Sequence, residues 1–289
     1  MKAPGVALVI GSGGVKCAAA IGMQRCLSAE AIAVDLVVGC SGGAIYAAAI
    51  ALGKDADTAA RMSAQLWTRD VTSKPDRGAL WRMIFPKALG FTERFGLKDD
   101  TIIRERLHTA FGDATFADCV TPLHITATDF RTGEQVVISE GRIADAIRAS
   151  IAIPFAFAPW EVNGRLLVDG FLSDPLPVGV AIREGAHVIV AMGFESPYQE
   201  RISSGGRFAF QLSSIMTNNL LRASFAFHGL AHHSEVIAVI PRFSERIRLF
   251  DTAKIPLLID EGELAMREQL PYLRRLLAAV HGTRTGAPA

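Results

Sequence analysis

The sequence predicts an α/β fold with a mostly parallel central sheet, because two strand–glycine–helix units open the chain. In the first unit, the apolar run Val6–Ile10 is followed by a glycine cluster at residues 11–14 and by helical spacing over residues 16–29. In the second, the apolar residues 36–38 lead into Gly-Cys-Ser-Gly-Gly at residues 39–43 and then into an apolar helical run. Short, continuously apolar strands are typical of parallel sheets that helices cover on both faces.

The composition favours one large domain with no strong electrostatic field. The chain has 289 residues, of which 50% are hydrophobic, so it can bury a sizeable core. Its 30 basic and 29 acidic residues give a formal charge of +1. A nearly neutral chain lacks the basic field that nucleic-acid binding requires, and we therefore expect no nucleic-acid partner.

The cysteines and the N-terminus indicate a reducing compartment. Cys17, Cys26, Cys40 and Cys119 form no C-x-x-C pair and have no spacing with histidine typical of zinc, so we expect free thiols, no metal and no cofactor. The apolar run near the N-terminus is too short for a signal peptide. A charged residue and a glycine-rich turn interrupt the later apolar stretch. We expect a cytoplasmic protein and expect any membrane contact to be peripheral.

Ser41 is the candidate nucleophile. It is the central residue of a G-x-S-x-G pentad between a predicted strand and a predicted helix. Such a turn lifts the serine out of the backbone, and the glycines on either side leave room for the tight bend. The alternative is a glycine-rich turn that packing requires and in which the serine is incidental.

The glycine cluster before Lys16 is a candidate anion site. Backbone N–H groups at a helix N-terminus suit a phosphate or a developing oxyanion equally well. A dinucleotide site would need G-x-G-x-x-G and an acidic residue after the next strand, whereas here the third glycine is missing and that strand ends in the serine pentad. A P-loop would need Gly-Lys before Ser or Thr, whereas Lys16 lies between Val15 and Cys17. Both nucleotide sites are therefore disfavoured.

Asp169 is the candidate general base. A short strand is predicted over residues 165–168, and it ends at Asp169-Gly170. Open parallel sheets place their sites at the carboxyl ends of strands, and a buried strand seldom ends in a carboxylate without a partner. Taken alone, Asp-Gly would equally fit a loop turn. With Ser41 in the same chain, Asp169 becomes the leading acceptor for its hydroxyl proton.

Five short motifs in a fixed order make the chain resemble the patatin-like phospholipases, serine acyl hydrolases that use a Ser–Asp dyad. They are the glycine loop at residues 12–16, Ile21-Gly22, the serine pentad, the segment 149–159 and Asp169-Gly170. The resemblance implies a three-layer α/β/α fold, with Ser41 as nucleophile and Asp169 as base. It also implies an oxyanion hole formed by the backbone N–H groups of Gly13 and Gly14, with Lys16 anchoring this loop or the substrate headgroup.

Three residues depart from the family's usual motifs. Ser12 and Cys17 occupy outer positions of the glycine loop where the family usually has glycine. Phe171 follows Asp169-Gly170 where the family commonly has glycine or alanine. The nucleophile and the base are kept, so these changes bear on the shape of the oxyanion loop and of the acyl pocket.

The resemblance covers about residues 5–200 and sets the expected domain organisation. We expect a single domain over residues 1–289, in which residues 201–280 elaborate the core and residues 281–289 form a disordered tail. The implied activity is hydrolysis of a lipid or other carboxylic ester through an acyl-Ser41 intermediate. The sequence defines neither the headgroup nor the acyl chain.

Three alternatives to a hydrolytic dyad stay open at this point. An acyltransferase or a thioesterase would use the same covalent step. A Ser-His-Asp triad of the α/β-hydrolase kind would take its histidine from His228, His232 or His233. A non-catalytic lipid-binding regulator would keep the fold without the reaction.

Two apolar segments have no catalytic assignment. Residues 67–100 combine aromatic with basic side chains, which fits either a loosely packed insertion or a lid that meets lipid. Residues 207–232 have helical spacing, and we expect their apolar side chains to pack in the core. The alternatives for this helix are a dimer face and a lipid contact.

Overall fold

The computed structural model describes residues 5–66, 77–196, 198, 201–231, 234–248 and 251–285. Within these residues the chain forms a sheet of eight strands with helices on both faces. The strands are β1 (Val6–Ile10), β2 (Leu36–Cys40), β3 (Leu123–Asp129), β4 (Gln135–Ile138), β5 (Trp160–Val162), β6 (Arg165–Asp169), β7 (Val188–Met192) and β8 (Glu235–Val239). The α-helices are α1 (Ala19–Ala29), α2 (Gly42–Ala51), α3 (Ala56–Leu66), α4 (Arg77–Ile84), α5 (Pro86–Leu89), α6 (Thr101–Phe111), α7 (Ile143–Ser150), α8 (Val178–Arg183), α9 (Gly205–Ala231) and α10 (Ile255–Thr285).

The centre of the sheet is parallel. Its strand order is β5-β6-β3-β2-β1-β7-β8, and β4 pairs with β3 outside this path. β3, β2, β1, β7 and β8 are joined by parallel pairs, whereas β4, β5 and β6 are joined by antiparallel pairs. The carboxyl ends of the parallel strands therefore meet at one edge of the sheet. The glycine cluster after β1 and the serine pentad at the end of β2 both lie at this edge.

Alternate residues of the parallel strands face two separate cores, which gives the fold its three layers. On one face, Leu8 and Val190 belong to a large apolar cluster with residues of α1, α2, α7 and α10. On the opposite face, Ala7 and Ile189 pack with α8 and with Leu221 of α9. The predicted α/β/α arrangement around a mostly parallel sheet is therefore confirmed.

The C-terminal helix α10 is built into the main core. A Cβ atom added at Gly22 of α1 would lie 1.9 Å from the carbonyl oxygen of Ile259, and one added at Gly262 would lie 2.0 Å from that of Ala19. Only glycine at these two positions lets the backbones of α1 and α10 approach so closely. Met266 of α10 is fully buried in the same cluster.

β2 and β6 meet end to end beside β3. Cys40, the last residue of β2, is opposite Thr126, while Asp169, the last residue of β6, is opposite Ala127, the next residue along β3. β2 is parallel to β3 and β6 is antiparallel to it, so the two strands run towards each other. The sequence predicts Asp169 at the carboxyl end of a strand in a parallel sheet; Asp169 does end β6, but this strand is antiparallel to β3.

Backbone hydrogen bonds show that both strands use the same edge of β3. The amide of Val37 in β2 donates to the carbonyl of Pro122, and the amide of Phe130 donates to the carbonyl of Leu166 in β6. Residues 122 and 130 are an even number of positions apart, so their backbone groups point to one side of the strand. β6 thus fills the part of this edge that lies beyond the end of β2.

Most predicted elements form, and the differences lie mainly in the later part of the chain. The strands predicted over residues 123–128 and 135–138 are the antiparallel pair β3 and β4, whereas β5 and β7 were not predicted. A 3₁₀ helix over Gly14–Ala18 precedes α1. Residues 281–285 continue α10 where the sequence predicts a disordered tail, and residues 286–289 lie outside the described residues.

The described parts of the two segments without a catalytic assignment both carry exposed apolar side chains. In the described part of residues 67–100, the rings of Trp81 and Phe85 stack on each other, and both are more than half exposed. α9 forms where helical spacing predicts it, but Phe208, Met216 and other apolar residues of this helix are exposed, so the prediction that they pack in the core is wrong. No helix among the described residues combines the length and the apolar character needed to cross a membrane.

Candidate active site

Ser41 lies on the sharp turn between β2 and α2. Its φ and ψ are 54° and −127°, a left-handed conformation that is unusual for a residue with a side chain. The backbone N–H of Ser41 donates to Ser150 Oγ at 2.7 Å, and Ser150 Oγ in turn donates to the carbonyl of Thr126 at 2.7 Å. These bonds join the turn to the end of α7 and to β3, and they hold a conformation that would be costly for an isolated turn.

Asp169 approaches Ser41 from the end of β6. The hydroxyl of Ser41 donates to Asp169 Oδ2 at 2.8 Å. The other carboxylate oxygen, Oδ1, accepts from the backbone N–H of Phe171 at 3.1 Å. Both oxygens therefore have a donor, which fixes the orientation of the carboxylate. The structure brings together the two residues that the sequence analysis selected as nucleophile and base.

The carboxyl group of Asp169 is fully buried. Burial raises the pKa of Asp169 to about 7, although the hydrogen bonds from the Phe171 amide and the Ser41 hydroxyl act to lower it. A carboxylate with a pKa near neutrality is a much stronger base than one in water. The location of Asp169 thus gives it the property that direct proton transfer from a serine requires.

The glycine loop passes directly beside the turn that carries Ser41. A Cβ atom added at Gly42 would lie 2.7 Å from both the backbone nitrogen and the carbonyl oxygen of Gly14, so the two glycine backbones are in contact. Gly13 has φ 179° and ψ 3°, and it packs against the ring of Phe194. Among the described residues, no acceptor bonds the backbone N–H of Gly13 or of Gly14. Two backbone donors without a described acceptor therefore lie in the loop that contacts Gly42, the residue after Ser41.

Lys16 anchors the 3₁₀ helix that follows the glycine loop. Its ammonium donates to the carbonyl of Glu195 at 2.6 Å, which joins this helix to the chain after β7. Burial lowers the pKa of Lys16, while the nearby Cys17 and Glu195 act to raise it. A cleft of about 260 Å³ opens beside this contact and is also lined by Phe243 and Ile247.

The three residues that depart from the family's motifs keep the local backbone in place. The amide of Ser12 donates to the carbonyl of Pro175 at 2.8 Å. The buried thiol of Cys17 donates to the carbonyl of Gly11 at 3.3 Å, and burial raises the pKa of Cys17, so the thiol stays neutral. Phe171 contacts Asp169 through its backbone N–H, a bond that any residue except proline could make at this position.

Two residues of α7 support the site, although no sequence pattern assigns them a role. One is Ser150, which holds the Ser41 turn. The other is Arg148, which is buried and donates to Asp100 Oδ2 at 2.9 Å and to the carbonyl of Ala158 at 3.0 Å. Both lie in or beside the segment 149–159 that carried part of the family resemblance, but their contacts are long-range and no local pattern specifies them.

Arg148 orders the chain between α7 and β5. Its guanidinium also lies over the ring of Trp160, 5.1 Å from the centroid. This segment includes Ala152, whose carbonyl accepts from the backbone N–H of Asp169 at 3.1 Å. Arg148 is therefore linked to Asp169 through the backbone that it holds in place.

Within the described part of the chain, no histidine of the alternative triad bonds to Asp169. Among the described residues, its carboxylate bonds only to Ser41 and Phe171. His232 and His233 lie outside the described residues. His228 lies near the C-terminal end of α9, which leads to β8 at the opposite edge of the sheet from Ser41.

This chain covers only part of the length of its curated relatives. An NTE family protein of Mycobacterium bovis, described as uncharacterized, is 30% identical over 191 residues, which are 66% of this chain and 49% of the relative. Patatin-like phospholipase domain-containing protein 7 of Rattus norvegicus is 28% identical over 203 residues, 70% of this chain and 14% of that protein. The chain thus spans about half the length of the first relative and a small part of the second.

Similarity to solved structures supports the fold. The crystal structure of VipD from Legionella pneumophila superposes with a TM-score of 0.51 at 15% identity, covering 96% of this chain and 67% of VipD. The sequence profile described as patatin-like phospholipase matches residues 8–182, more than half of the chain, and this stretch includes the glycine loop, Ser41 and Asp169. The chain therefore belongs to the patatin-like phospholipase family.

Proposed function

We propose that this protein is a lipid acyl hydrolase that cleaves a carboxylic ester through an acyl-Ser41 intermediate, with Asp169 as the base. The observation that carries the proposal is the 2.8 Å hydrogen bond between the Ser41 hydroxyl and the buried carboxylate of Asp169. Family membership supports a lipid ester as the substrate class, since the matched profile is that of phospholipases.

In the first half of the reaction, Ser41 Oγ attacks the ester carbonyl carbon while its proton passes to Asp169 Oδ2. The carbonyl oxygen becomes an oxyanion in the tetrahedral intermediate. When this intermediate collapses, the bond to the alcohol oxygen breaks, and the protonated Asp169 returns the proton to that oxygen. The products of this half are the acyl enzyme and the free alcohol.

In the second half, water replaces the alcohol. Asp169 accepts a proton from the water as its oxygen attacks the acyl carbon, and the proton returns to Ser41 Oγ as the acyl–serine bond breaks. The carboxylic acid leaves and the free serine is restored. One carboxylate thus serves as base and then as acid in each half, for which a pKa near neutrality is well suited.

We assign the oxyanion hole to the backbone N–H groups of Gly13 and Gly14. What supports this assignment is their unsatisfied state and the contact between Gly14 and Gly42, next to the nucleophile. The loss of one such donor typically lowers the rate by about 100-fold to 1,000-fold. Lys16 holds this loop through Glu195, and we propose no proton transfer for it.

Covalent labelling tests the nucleophile directly. A fluorophosphonate should label Ser41 in the folded protein, as located by mass spectrometry of peptides, and Ser41→Ala should be neither labelled nor active. Hydrolysis of a soluble ester should fall by a factor on the order of 10,000 or more in that variant. The exposed Ser28→Ala is the matched control and should keep both properties.

The result that would overturn the proposal is the absence of labelling in folded wild-type protein, or hydrolysis that survives in Ser41→Ala. Once labelling is established, a series of esters that vary in acyl length and headgroup would identify the preferred substrate. Parallel reactions with an added alcohol would detect acyl transfer to an acceptor other than water.

A further inference from the structure

The distribution of polar and apolar residues on α9 is unusual for a helix on the surface of a globular protein. Its inward face combines three buried polar residues, Ser214, Thr217 and Asn218, with Leu221 and Phe225, which pack against the sheet. Its outward face carries exposed apolar side chains, which we call the α9 stripe. The members of the α9 stripe are Phe208, Leu212, Ile215, Met216, Leu220 and Phe227.

The spacing of these residues makes the α9 stripe continuous. Steps of three and four residues place side chains on one face of a helix, and Phe208, Leu212 and Met216 follow each other in steps of four. Phe208 is 54% exposed and Met216 is 62% exposed. A contiguous apolar face of this kind on a surface helix marks a site of interaction with a membrane or a protein.

The N-terminal half of α9 lies at the carboxyl edge of the sheet, the edge at which Ser41 also lies. The side-chain amide of Asn218 brackets the backbone of Ser196, accepting from its N–H at 2.7 Å and donating to its carbonyl at 3.0 Å. This contact places the middle of the helix level with the chain that leaves the carboxyl end of β7. The C-terminal end of the helix leads to β8, whose first residue Glu235 pairs with Val188 at the start of β7.

Residues 205–217 therefore extend beyond the carboxyl edge of the sheet. At 1.5 Å per residue, this half of the helix is about 20 Å long. It carries Phe208, Leu212, Ile215 and Met216, which are four of the six members of the α9 stripe. The apolar surface thus projects from the edge at which the nucleophile lies.

The charges around the α9 stripe favour an anionic surface. The sequence from residue 201 to residue 231 contains three arginines and no aspartate or glutamate. Arg207 and Arg222 are exposed, and Arg222 also bonds to Glu195, which lies outside this segment. Exposed arginine side chains on a helix with an apolar face can reach lipid headgroups while the apolar residues enter the interface.

A second exposed apolar region lies on the other side of the site. The carbonyl of Phe155 accepts from Leu97, and this loop also includes Ala152, which holds the backbone of Asp169. Phe155 is 60% exposed, and the exposed rings of Phe85 and Phe91 belong to the segment that precedes Leu97. This region packs on the α7 side of the sheet and is therefore separate from the α9 stripe.

We propose that the outward face of α9 docks the protein on an anionic lipid surface, with the helix lying in the plane of the headgroups. The proposal rests on the proposed function, because it supplies the surface from which a lipid ester would enter the site. The helix is apolar enough on one face to enter an interface, but it is not long and apolar enough to cross a membrane.

Vesicle binding tests the proposal without catalysis. The Ser41→Ala protein is mixed with vesicles of phosphatidylcholine alone or of phosphatidylcholine and phosphatidylglycerol in equal amounts, and the bound fraction is measured by sedimentation. We expect binding to the anionic vesicles. Leu212→Ser with Met216→Ser should weaken that binding by about tenfold or more, since two apolar side chains leave the interface. Arg207→Gln should weaken it by about fivefold, and only on anionic vesicles.

A matched control removes exposed apolar residues elsewhere. Leu264 of α10 is 54% exposed and Val120 is 75% exposed, and both are outside α9. Leu264→Ser with Val120→Ser should keep full vesicle binding. Thermal unfolding of all variants should match that of the parent, and the single variant Met216→Ser provides a second test if the double variant unfolds.

Several outcomes would overturn the proposal. The first is that the parent binds neither kind of vesicle. The second is that the α9 variants bind as well as the parent. The third is that the control pair loses as much vesicle binding as the α9 variants do. A concentration-dependent dimer that Leu212→Ser with Met216→Ser dissolves would assign the α9 stripe to a second copy instead. Hydrolysis of a soluble short-chain ester by the protein with an intact Ser41 separates the two proposals: binding without hydrolysis refutes the proposed function alone, and hydrolysis without binding refutes docking alone.

Discussion

The dyad and the α9 stripe reverse the usual distribution of polar and apolar groups in opposite directions. At the dyad, a carboxyl group and a hydroxyl are buried among apolar strands. On α9, large apolar side chains are exposed while serine, threonine and asparagine face the protein. Burying an ionisable group and exposing a contiguous apolar face both cost folding free energy. Both features are therefore better explained by function than by stability.

The two regions also differ in how firmly they are held. Ser41 and Asp169 are fixed by hydrogen bonds from α7, from β3 and from the residues after β6. On α9, the side-chain amide of Asn218 on the inward face holds the backbone of Ser196. Substitutions should accordingly have large effects at the dyad and on the inward face of α9, and small effects on stability along the stripe.

The largest expected effect is on the reaction. Asp169→Asn removes the base but keeps the size of the side chain, so kcat should fall by about 100-fold to 10,000-fold. In the wild-type protein, kcat/KM should rise with pH through about 7, because only the ionised form of Asp169 accepts the proton. Hydrolysis of a soluble ester by the wild type and by Asp169→Asn, measured over a range of pH, checks the fall in kcat and the rise of kcat/KM. A rate that does not change between about pH 5 and about pH 8 would show that Asp169 is not the base.

The same substitution should increase stability at neutral and alkaline pH. Native Asp169 binds its proton below about pH 7, whereas in the unfolded chain it does so only below about pH 4. Between these values the native state holds more protons, so its stability falls as pH rises. Asp169→Asn lacks this dependence and should gain on the wild type by about 1.4 kcal/mol per pH unit across the window, with no further gain above it. Urea unfolding at several pH values measures the difference.

Two neighbouring leucines of α9 lie on different faces of the helix, so they allow the two faces to be compared. Leu221 is buried at 5% exposure and Leu220 is 38% exposed. Leu221→Ala should lower the free energy of unfolding by about 2–4 kcal/mol, whereas Leu220→Ala should change it by less than about 0.5 kcal/mol. Denaturant titration of the pair checks this. Equal losses would mean that the stripe packs against protein after all.

The smallest of the four effects concerns the support of the nucleophile. Ser150→Ala leaves the buried backbone N–H of Ser41 without its acceptor, which should cost about 1–3 kcal/mol of stability. As a positioning residue, Ser150 should affect kcat more than KM, because it sets the Ser41 turn and does not contact substrate. A change in KM alone would contradict this role.

Local sequence was sufficient for the parts of the site that lie on strand–turn–helix units. The turn at Ser41 and the strand that ends at Asp169 were predictable because apolar runs and glycines specify them over a few residues. The direction of β6 was not, since strand pairing depends on contacts between β3 and residues about 40 positions away. Ser150 and Arg148 were missed for the same reason. The exposure of the α9 stripe was missed because helical periodicity does not state which face is inward.

The end-to-end meeting of β2 and β6 has a consequence for folding. Ser41 meets Asp169 only when a strand that ends 128 residues later docks on the same edge of β3. Such long-range pairing forms slowly compared with a local turn or helix. During refolding, recovery of esterase activity should therefore follow helix formation and coincide with completion of the sheet. The proposed esterase activity would therefore serve as a kinetic probe of this long-range strand pairing.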